Sequence, residues 1–456
     1  MRRIDAAEAR RMSPQDLVAA GKALRDAVPP SSQADPRFAS RRDPLGVLRN
    51  ADADRLPELV PIRYGRMLQS PFAFFRGSAA VMAADLARTP STGLTVQACG
   101  DCHLKNFGGF ASPERAIIFD INDFDETLPA PWEWDVKRLA VSFVLAVREN
   151  GLPKAVARAV AITCVRSYRK GIRAFSKMDP LGVWYAKVSS EDFLAYVPTA
   201  ARDRIARRIA KAGARRGSDV DYPKLAEAVN GVLRIHDSPP LIFHPEIPGA
   251  AKFSRRVEKI LIEYRETLPD DRRSLFDHFR FVDAAIKVVG IGSVGTRCWI
   301  ALFMSSANEP LFLQFKQAHP SVLEPFAGKS TYPHHGQRVV AGQRLMQAAS
   351  DIFLGWTSGP NGEFYVRQLR DAKISANVES FDEPLFDAYA RACGWNLARA
   401  HAKSGNPQMM SGYLGKSDAF EEAVTRFAFA YADQTERDHH ALREAVGAGT
   451  IEAHTE

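Results

Sequence analysis

The stretch 285–318, AIKVVGIGSVGTRCWIALFMSSANEPLFLQFKQA, constrains the fold more than any other part of the chain. Apolar and polar positions alternate along it. It breaks at Gly-Ile-Gly-Ser-Val-Gly and again at Ser-Ala-Asn-Glu-Pro, which predicts three strands joined by two turns. A helix over about 335–349 and strands at 351–357 and 363–369, joined by Ser-Gly-Pro-Asn-Gly, extend this β region. On either side the apolar period changes to that of a helix, over 133–147, 153–177, 190–213, 222–235, 384–403 and 418–446. Short strands are expected at 94–101 and 115–125, an extended arm at 28–60, and a helix beginning after Arg76. The expected class is therefore α+β, with an antiparallel β unit inside a helical chain. A length of 456 residues exceeds what one core usually serves. The predicted divisions are 1–93, an arm with helices; 94–275, a helical lobe; 276–375, the β unit; and 376–456, closing helices.

Composition excludes several classes. Five cysteines in this length make no disulfide framework. The longest apolar run, LAVSFVLAV at 139–147, is about half of a membrane span. The first residues, MRRIDAAEARRMSPQDL, lack the apolar stretch of a secretory signal, so a cytoplasmic chain without a membrane partner is expected. The net charge is +8, with basic residues gathered at Arg202, Arg204, Arg207, Arg208, Lys211, Arg215 and Arg216. No aromatic residues interleave them for base stacking, so they read as a solvated helix face and not as a nucleic-acid surface.

Chemistry concentrates in ACGDCHLKNFGGF, residues 98–110. Cys99 and Cys102 form C-x-x-C, but no second ligand pair stands at zinc spacing, and the flanks read as strand and loop, unlike a thioredoxin-type redox motif. Read as Gly100-Asp101-x-His103-x-x-Asn106, the stretch suits phosphoryl transfer. Asp101 would orient or deprotonate an acceptor hydroxyl, Asn106 would hold Mg²⁺, and His103 would support the loop. A second carboxylate for that metal is available in IIFDINDFDE as Asp120, Asp123 or Asp125. Gly290, Gly292 and Gly295 form G-x-G-x-x-G. The TRCWIALFM that follows is a strand, so the turn joins two strands and its N–H groups would lie over phosphates. Lys316, on the strand face opposite Leu311, Leu313 and Phe315, would reach the α- and β-phosphates, with Glu324 the nearest candidate partner. Gln368 falls in YVRQL, a strand suited to meeting adenine.

The series Gly-Asp-x-His-x-x-Asn, then Asp-Phe-Asp-Glu, then PWEWDVKRL resembles the catalytic segment of aminoglycoside phosphotransferase-like kinases, the bacterial stress-response group above all. That resemblance implies Asp123 as the main metal ligand, Asp125 assisting and Asp120 as runner-up. It implies Asp135 as a brace beneath the loop. It also implies a two-lobed protein kinase-like fold, here circularly permuted, because the β lobe and the helix GWNLARAHAKSG come after the catalytic loop. Through RYGRMLQSPFAFFRG, GDCHLKNFGGF, DINDFDETLPAPWEWDVKRLA, GIGSVGTR and FLQFKQAHPSVLEP the chain also resembles the bacterial DUF2252 family over roughly 40–446. The expected activity is transfer of phosphate from ATP, with Mg²⁺, to a small-molecule or protein hydroxyl. A nucleotide-binding pseudokinase and an AMP-transferring enzyme are the alternatives. Arg63, Arg66 and Arg76 are candidates for binding an anionic acceptor.

Overall fold

The computed structural model describes residues 6–214, 225–229, 232–239, 241–244, 250–288, 290–291, 294–369 and 372–454. Gly292, Arg215 and Arg216 lie outside them. The segment 28–60 is less extended than expected. It holds a 3-10 turn at Pro30–Ala34 and an α-helix at Pro44–Ala51, each starting on a proline whose fixed φ suits a first helical position. Three short helices follow: α1 (Val60–Met67), α2 (Pro71–Gly77) and α3 (Ala79–Leu86). Helix α2 starts well before Arg76 because Ser70 caps it, accepting from the Ala73 N–H, and Pro71 opens it.

Strand β1 (Thr95–Ala98) leads into the Gly-Asp loop. Strands β2 (Phe107–Ala111) and β3 (Ile117–Ile121) form an antiparallel pair, and β4 (Leu128–Pro131) returns antiparallel to β1. Helix α4 (Trp132–Glu149) then runs through the interior with every residue from Trp132 to Val147 buried. Helix α5 (Lys154–Phe175) packs beside it.

The β unit contains β5 (Phe279–Lys287), β6 (Cys298–Ser305), β7 (Pro310–Ala318), β8 (Gly355–Gly359) and β9 (Gly362–Gln368). The order β8-β9-β7-β6-β5 is antiparallel throughout, and a short strand, Ile242–Phe243, adds to the far edge. Alternation on β7 has the expected consequence. Leu311, Leu313 and Phe315 enter a cluster with Tyr264, Phe276 and Phe353, whereas Phe312 lies in the cluster on the other face. Tyr264 belongs to helix α6 (Ala250–Glu266), so this helix covers the sheet, although a division at 275 would assign it to the helical lobe. The stretch 222–235 also departs from expectation. Ala226–Val229 and Val232–Ile235 pair as two antiparallel strands, not as a helix, and residues 222–224, 230 and 231 lie outside the described residues.

Helix α7 (His335–Met346) lies between β7 and β8 in the chain. Helices α8 (Glu383–Ser404) and α9 (Ala419–Gly447) return to the helical core, where α8 packs along α5 and α9 along α4. Among the described residues no helix is long and apolar enough to cross a membrane.

Candidate functional site

Two cavities meet between the β unit and the Gly-Asp loop. One, of about 380 Å³, is bordered by Lys316, Gln314, Arg367 and Gln368 of the sheet and by Asn122 and Asp123 below it. The other, of about 110 Å³, is bordered by Asp101, His103, Asn106, Asp125 and Arg76. Asp123 and Gly290 belong to both, so the two are one cleft divided at the end of β3 and the glycine turn.

Strand register sets the upper wall. Lys316 lies opposite Tyr365 across β7 and β9, so the two side chains emerge together. Both reach Asp125: the Tyr365 hydroxyl donates to Oδ1 at 2.7 Å, and the Lys316 ammonium pairs with Oδ2. Lys316 Nζ also stands 4.0 Å from Asp123 Oδ1. The lysine is only 3 % exposed, and burial alone would lower its pKa. The Asp123 and Asp125 charges outweigh that and hold it above the ordinary lysine range. Burial acts upward on Asp125 too, but Lys316 and the Tyr365 hydroxyl keep it below the usual carboxylate range. Asp123, raised by burial and by the neighbouring Asp125 charge, is the less committed of the two, 34 % exposed.

The lysine partner is thus Asp125 and not Glu324. Glu324 begins a short helix, and its Oε1 is buried 4.0 Å from His335 Nδ1 without a hydrogen bond. Eight residues of chain between Lys316 and Glu324 carry the latter off the end of β7, whereas the Asp-Phe-Asp segment comes to the lysine from another part of the fold. Asp120 is likewise corrected. It is fully buried, with Arg399 Nη2 at 2.8 and 3.0 Å and the backbone N–H groups of Ile121 and Ala348 filling its oxygens. It anchors helix α8 and has no oxygen left for a cation in the cleft. Gln368 does border the larger cavity, but its N–H is taken by Asp351 and that of Leu369 by Phe312 O.

The lower wall is organised by α4. Asp135 accepts the N–H of Cys99 at 2.7 Å and of Gly100 at 3.1 Å, holding the loop as a brace, and His401 of α8 meets it from behind at 3.2 Å. One turn further on, Arg138 donates to Asp101 Oδ1, through Nε at 2.8 Å, and stacks on Phe75. Positions 135 and 138 share a helix face, which is the signal by which Arg138 could have been read from sequence. Burial pushes the Asp101 carboxyl up, against the opposing charge of Arg138. His103 Nε2 is 3.7 Å from Asp101 Oδ2, and burial together with the Arg76 and Arg138 charges keeps the ring neutral, well below the ordinary histidine pKa. Asn106 donates to the Asp101 carbonyl at 2.8 Å. Asn106 and Asp123 border the same cavity, and an amide oxygen with a carboxylate is a donor set of the kind a hard cation such as Mg²⁺ takes.

Arg338 of α7 was not foreseen. It donates to the carbonyls of Asp125, Thr127 and His319, tying the Asp-Phe-Asp segment to the β unit. The glycine turn is held from outside by the N-terminal helices. Arg66 donates to Gly290 O, Arg55 to Val294 O, and Leu56 N–H to Gly295 O at 2.8 Å. Gly290 and Gly295 have φ of 71° and 87°, where a side chain would be strained.

Among the described residues, the group of three metal-ligating side chains that converges is Cys99, Cys102 and Asp135. Burial pushes both thiols up, Cys102 to about 12, and Asp135 is occupied by the loop N–H groups and His401, so these cysteines are packing residues.

The family described as "Uncharacterized protein conserved in bacteria (DUF2252)" matches residues 55–445. No curated protein and no solved structure matches the chain.

Proposed function

The chain belongs to the DUF2252 family, and from that premise we propose that it is an ATP- and Mg²⁺-dependent phosphotransferase with a circularly permuted, protein kinase-like architecture. One observation carries the reading. Asp123 and Gly290 stand where the two cavities join, with Lys316 on one side and Asp101 on the other. A nucleotide in the larger cavity would present its phosphates to Lys316 and the glycine turn, and its terminal phosphate towards Asp101. Two features of the fold agree. The order β8-β9-β7-β6-β5, with α7 entering between β7 and β8, suits a nucleotide-covering lobe. The end of α8 also abuts β1, since Gln97 N–H donates to Ser404 Oγ at 2.9 Å. On this reading α8 would serve as the helix preceding the loop, although it follows that loop by about three hundred residues.

The proposed chemistry is a direct transfer. The acceptor O–H loses its proton to the Asp101 carboxylate, its oxygen forms a bond to the γ-phosphorus, and the β–γ bridging P–O bond breaks to release ADP. Arg138 fixes the orientation of Asp101. Lys316 steadies the phosphates, exchanging its pairing with Asp125 for them. Asn106 and Asp123 would hold Mg²⁺, which supplies charge neutralisation for the phosphates.

The test is Mg²⁺-dependent ATP turnover with a metabolite library, products read by mass spectrometry. Asp123→Asn is expected to abolish turnover with the fold intact. Asp101→Ala should keep nucleotide affinity and lower transfer by about two to four orders of magnitude. Products carrying AMP instead of phosphate, or full activity of Asp123→Asn, would overturn the proposal.

A further inference from the structure

The 110 Å³ cavity beside Asp101 contains a cation that the proposed chemistry leaves unused. Three arginines line it, and two are spoken for, Arg55 by Asp52 and Val294 O and Arg63 by Asp52 and Gly77 O; Arg138, outside the lining, is held by Asp101. Arg76 is different. Its Nε is buried without a hydrogen-bond partner, as are those of Arg55 and Arg63, but among the described residues no other nitrogen of Arg76 is held by a partner, and Asp101, Glu379, Glu149 and Asp123 act on it through their fields alone. An unpaired guanidinium in a buried cleft is costly unless an anion comes to it.

Two further groups on the same wall favour an anion. His103 is 3 % exposed, is neutral, borders the cavity and has an unpartnered Nδ1, which donates to an anion in the tautomer that carries the proton there. Helix α3 has no side-chain cap from Ser78, and its first residues, Ala79 and Ala80, line the cavity, bringing first-turn N–H groups with no helical acceptor. The N-terminal segment also supplies Ala51, Arg55 and Arg63, and the Asp-Phe-Asp-Glu segment and the glycine turn supply most of the rest; a space of about 110 Å³ is small against an extended chain.

We propose that this cavity is the acceptor site and takes a small hydroxyl compound bearing its own oxyanion, a phosphate or carboxylate, held by Arg76, His103 and the α3 N-terminus, with polypeptide acceptors excluded. The assignment rests on the phosphotransferase reading for its placement of the hydroxyl at Asp101. The same oxyanion chemistry could be supplied by the γ-phosphate of the nucleotide. The acceptor is favoured because Arg76 borders the smaller cavity with Asp101, whereas Lys316 borders the larger one.

Inorganic phosphate is the probe, titrated calorimetrically into the full-length protein alone and into its complex with Mg²⁺ and a non-hydrolysable ATP analogue. Binding is expected in both states, weakened about tenfold or more by Arg76→Gln and less by Arg76→Lys. A circular-dichroism melt of each variant shows whether the fold is kept, and the Lys variant carries the test if the Gln variant does not fold. Loss of phosphate binding once the analogue is bound would give Arg76 to the γ-phosphate and overturn the proposal. Equal phosphate binding by parent and variants, or none at millimolar phosphate, would overturn it too. So would phosphorylation of peptides in a peptide-array assay. Nucleotide binding measured in the same titrations separates this outcome from failure of the phosphotransferase reading, since phosphate can bind at Arg76 whether or not ATP binds.

Discussion

Glu126, next to Asp125 in the Asp-Phe-Asp-Glu run, is a carboxyl held where its charge is unwelcome. Burial raises its pKa to about 7, although the Val322 N–H donates to it at 2.7 Å. In the unfolded chain it would titrate near the ordinary glutamate value, about 4.3. Between those values the folded state retains a proton that the unfolded state has released. Stability therefore falls as pH rises from about 4.3 to 7 and levels off above. Glu126→Gln keeps an acceptor for Val322 and removes the titration. The variant should match the parent near pH 4.5 and exceed it by about 1 kcal/mol at pH 8, a figure reduced for the partial exposure of the side chain. Denaturant unfolding at the two pH values measures this, and a stability difference independent of pH would contradict it. Asp125 has the opposite sign. Its pairing with Lys316 contributes stability above the unfolded pKa of about 3.9, which is lost as pH falls through the lower folded value.

At the level of elements, α4 is the beam on which the loop is built. Its first turn carries Asp135, whose carboxylate serves two loop N–H groups and His401, and its second carries Arg138. Asp135→Ala would leave two buried N–H groups and the His401 ring without their acceptor. It should cost about 3 kcal/mol, and Asp135→Asn less, because an amide oxygen can still accept one bond. Urea unfolding of both variants is the measurement; an Ala variant within about 0.5 kcal/mol of the parent would remove the brace from the account. This helix was legible in sequence from its apolar period and from the Asp of PWEWDVKRL. Strand β7 was legible as well, since alternation alone separates Leu311, Leu313 and Phe315 from Lys316. The pairing of Ala226–Val229 with Val232–Ile235 was not read, because Ala, Val and Leu at these positions satisfy both periods over so short a span.

Across the whole molecule, the N-terminal ninety residues are not an appendage. Leu59 and Ile62 form a cluster with Val294 of the glycine turn, and Tyr64, Met67 and Phe74 form another with Ile291 and Leu442. The helix Pro14–Ala27 also packs closely on Pro407–Leu414, where Gly21 and Gly412 admit the opposing backbone. A fragment 94–456 would expose these apolar faces and release the glycine turn. It is expected to be insoluble, or to melt at least about 10 °C below the full chain, a loss of a few kcal/mol for a protein of this size. A soluble fragment with the parent melting temperature, followed by circular dichroism, would show that the division at 93 is a true boundary.

Sequence alone determined the features that depend on neighbours along the chain. These were the α+β class, the antiparallel meander, the beam helix and the clustering of Asp101, Asn106 and Asp123 around short loops, because periodicity and turn chemistry act over a few residues. The pairing of Lys316 with Asp125, the consumption of Asp120 by Arg399, the gripping of the Asp-Phe-Asp segment by Arg338 and the isolation of Arg76 were decided only by the tertiary structure. Each of these depends on which of several equivalent carboxylates or arginines meets which partner across a long separation in sequence. Local spacing offers Asp120, Asp123 and Asp125 as equals; packing of α8 behind β3 and of the β unit above it assigns each a different electrostatic environment, and with it a different role.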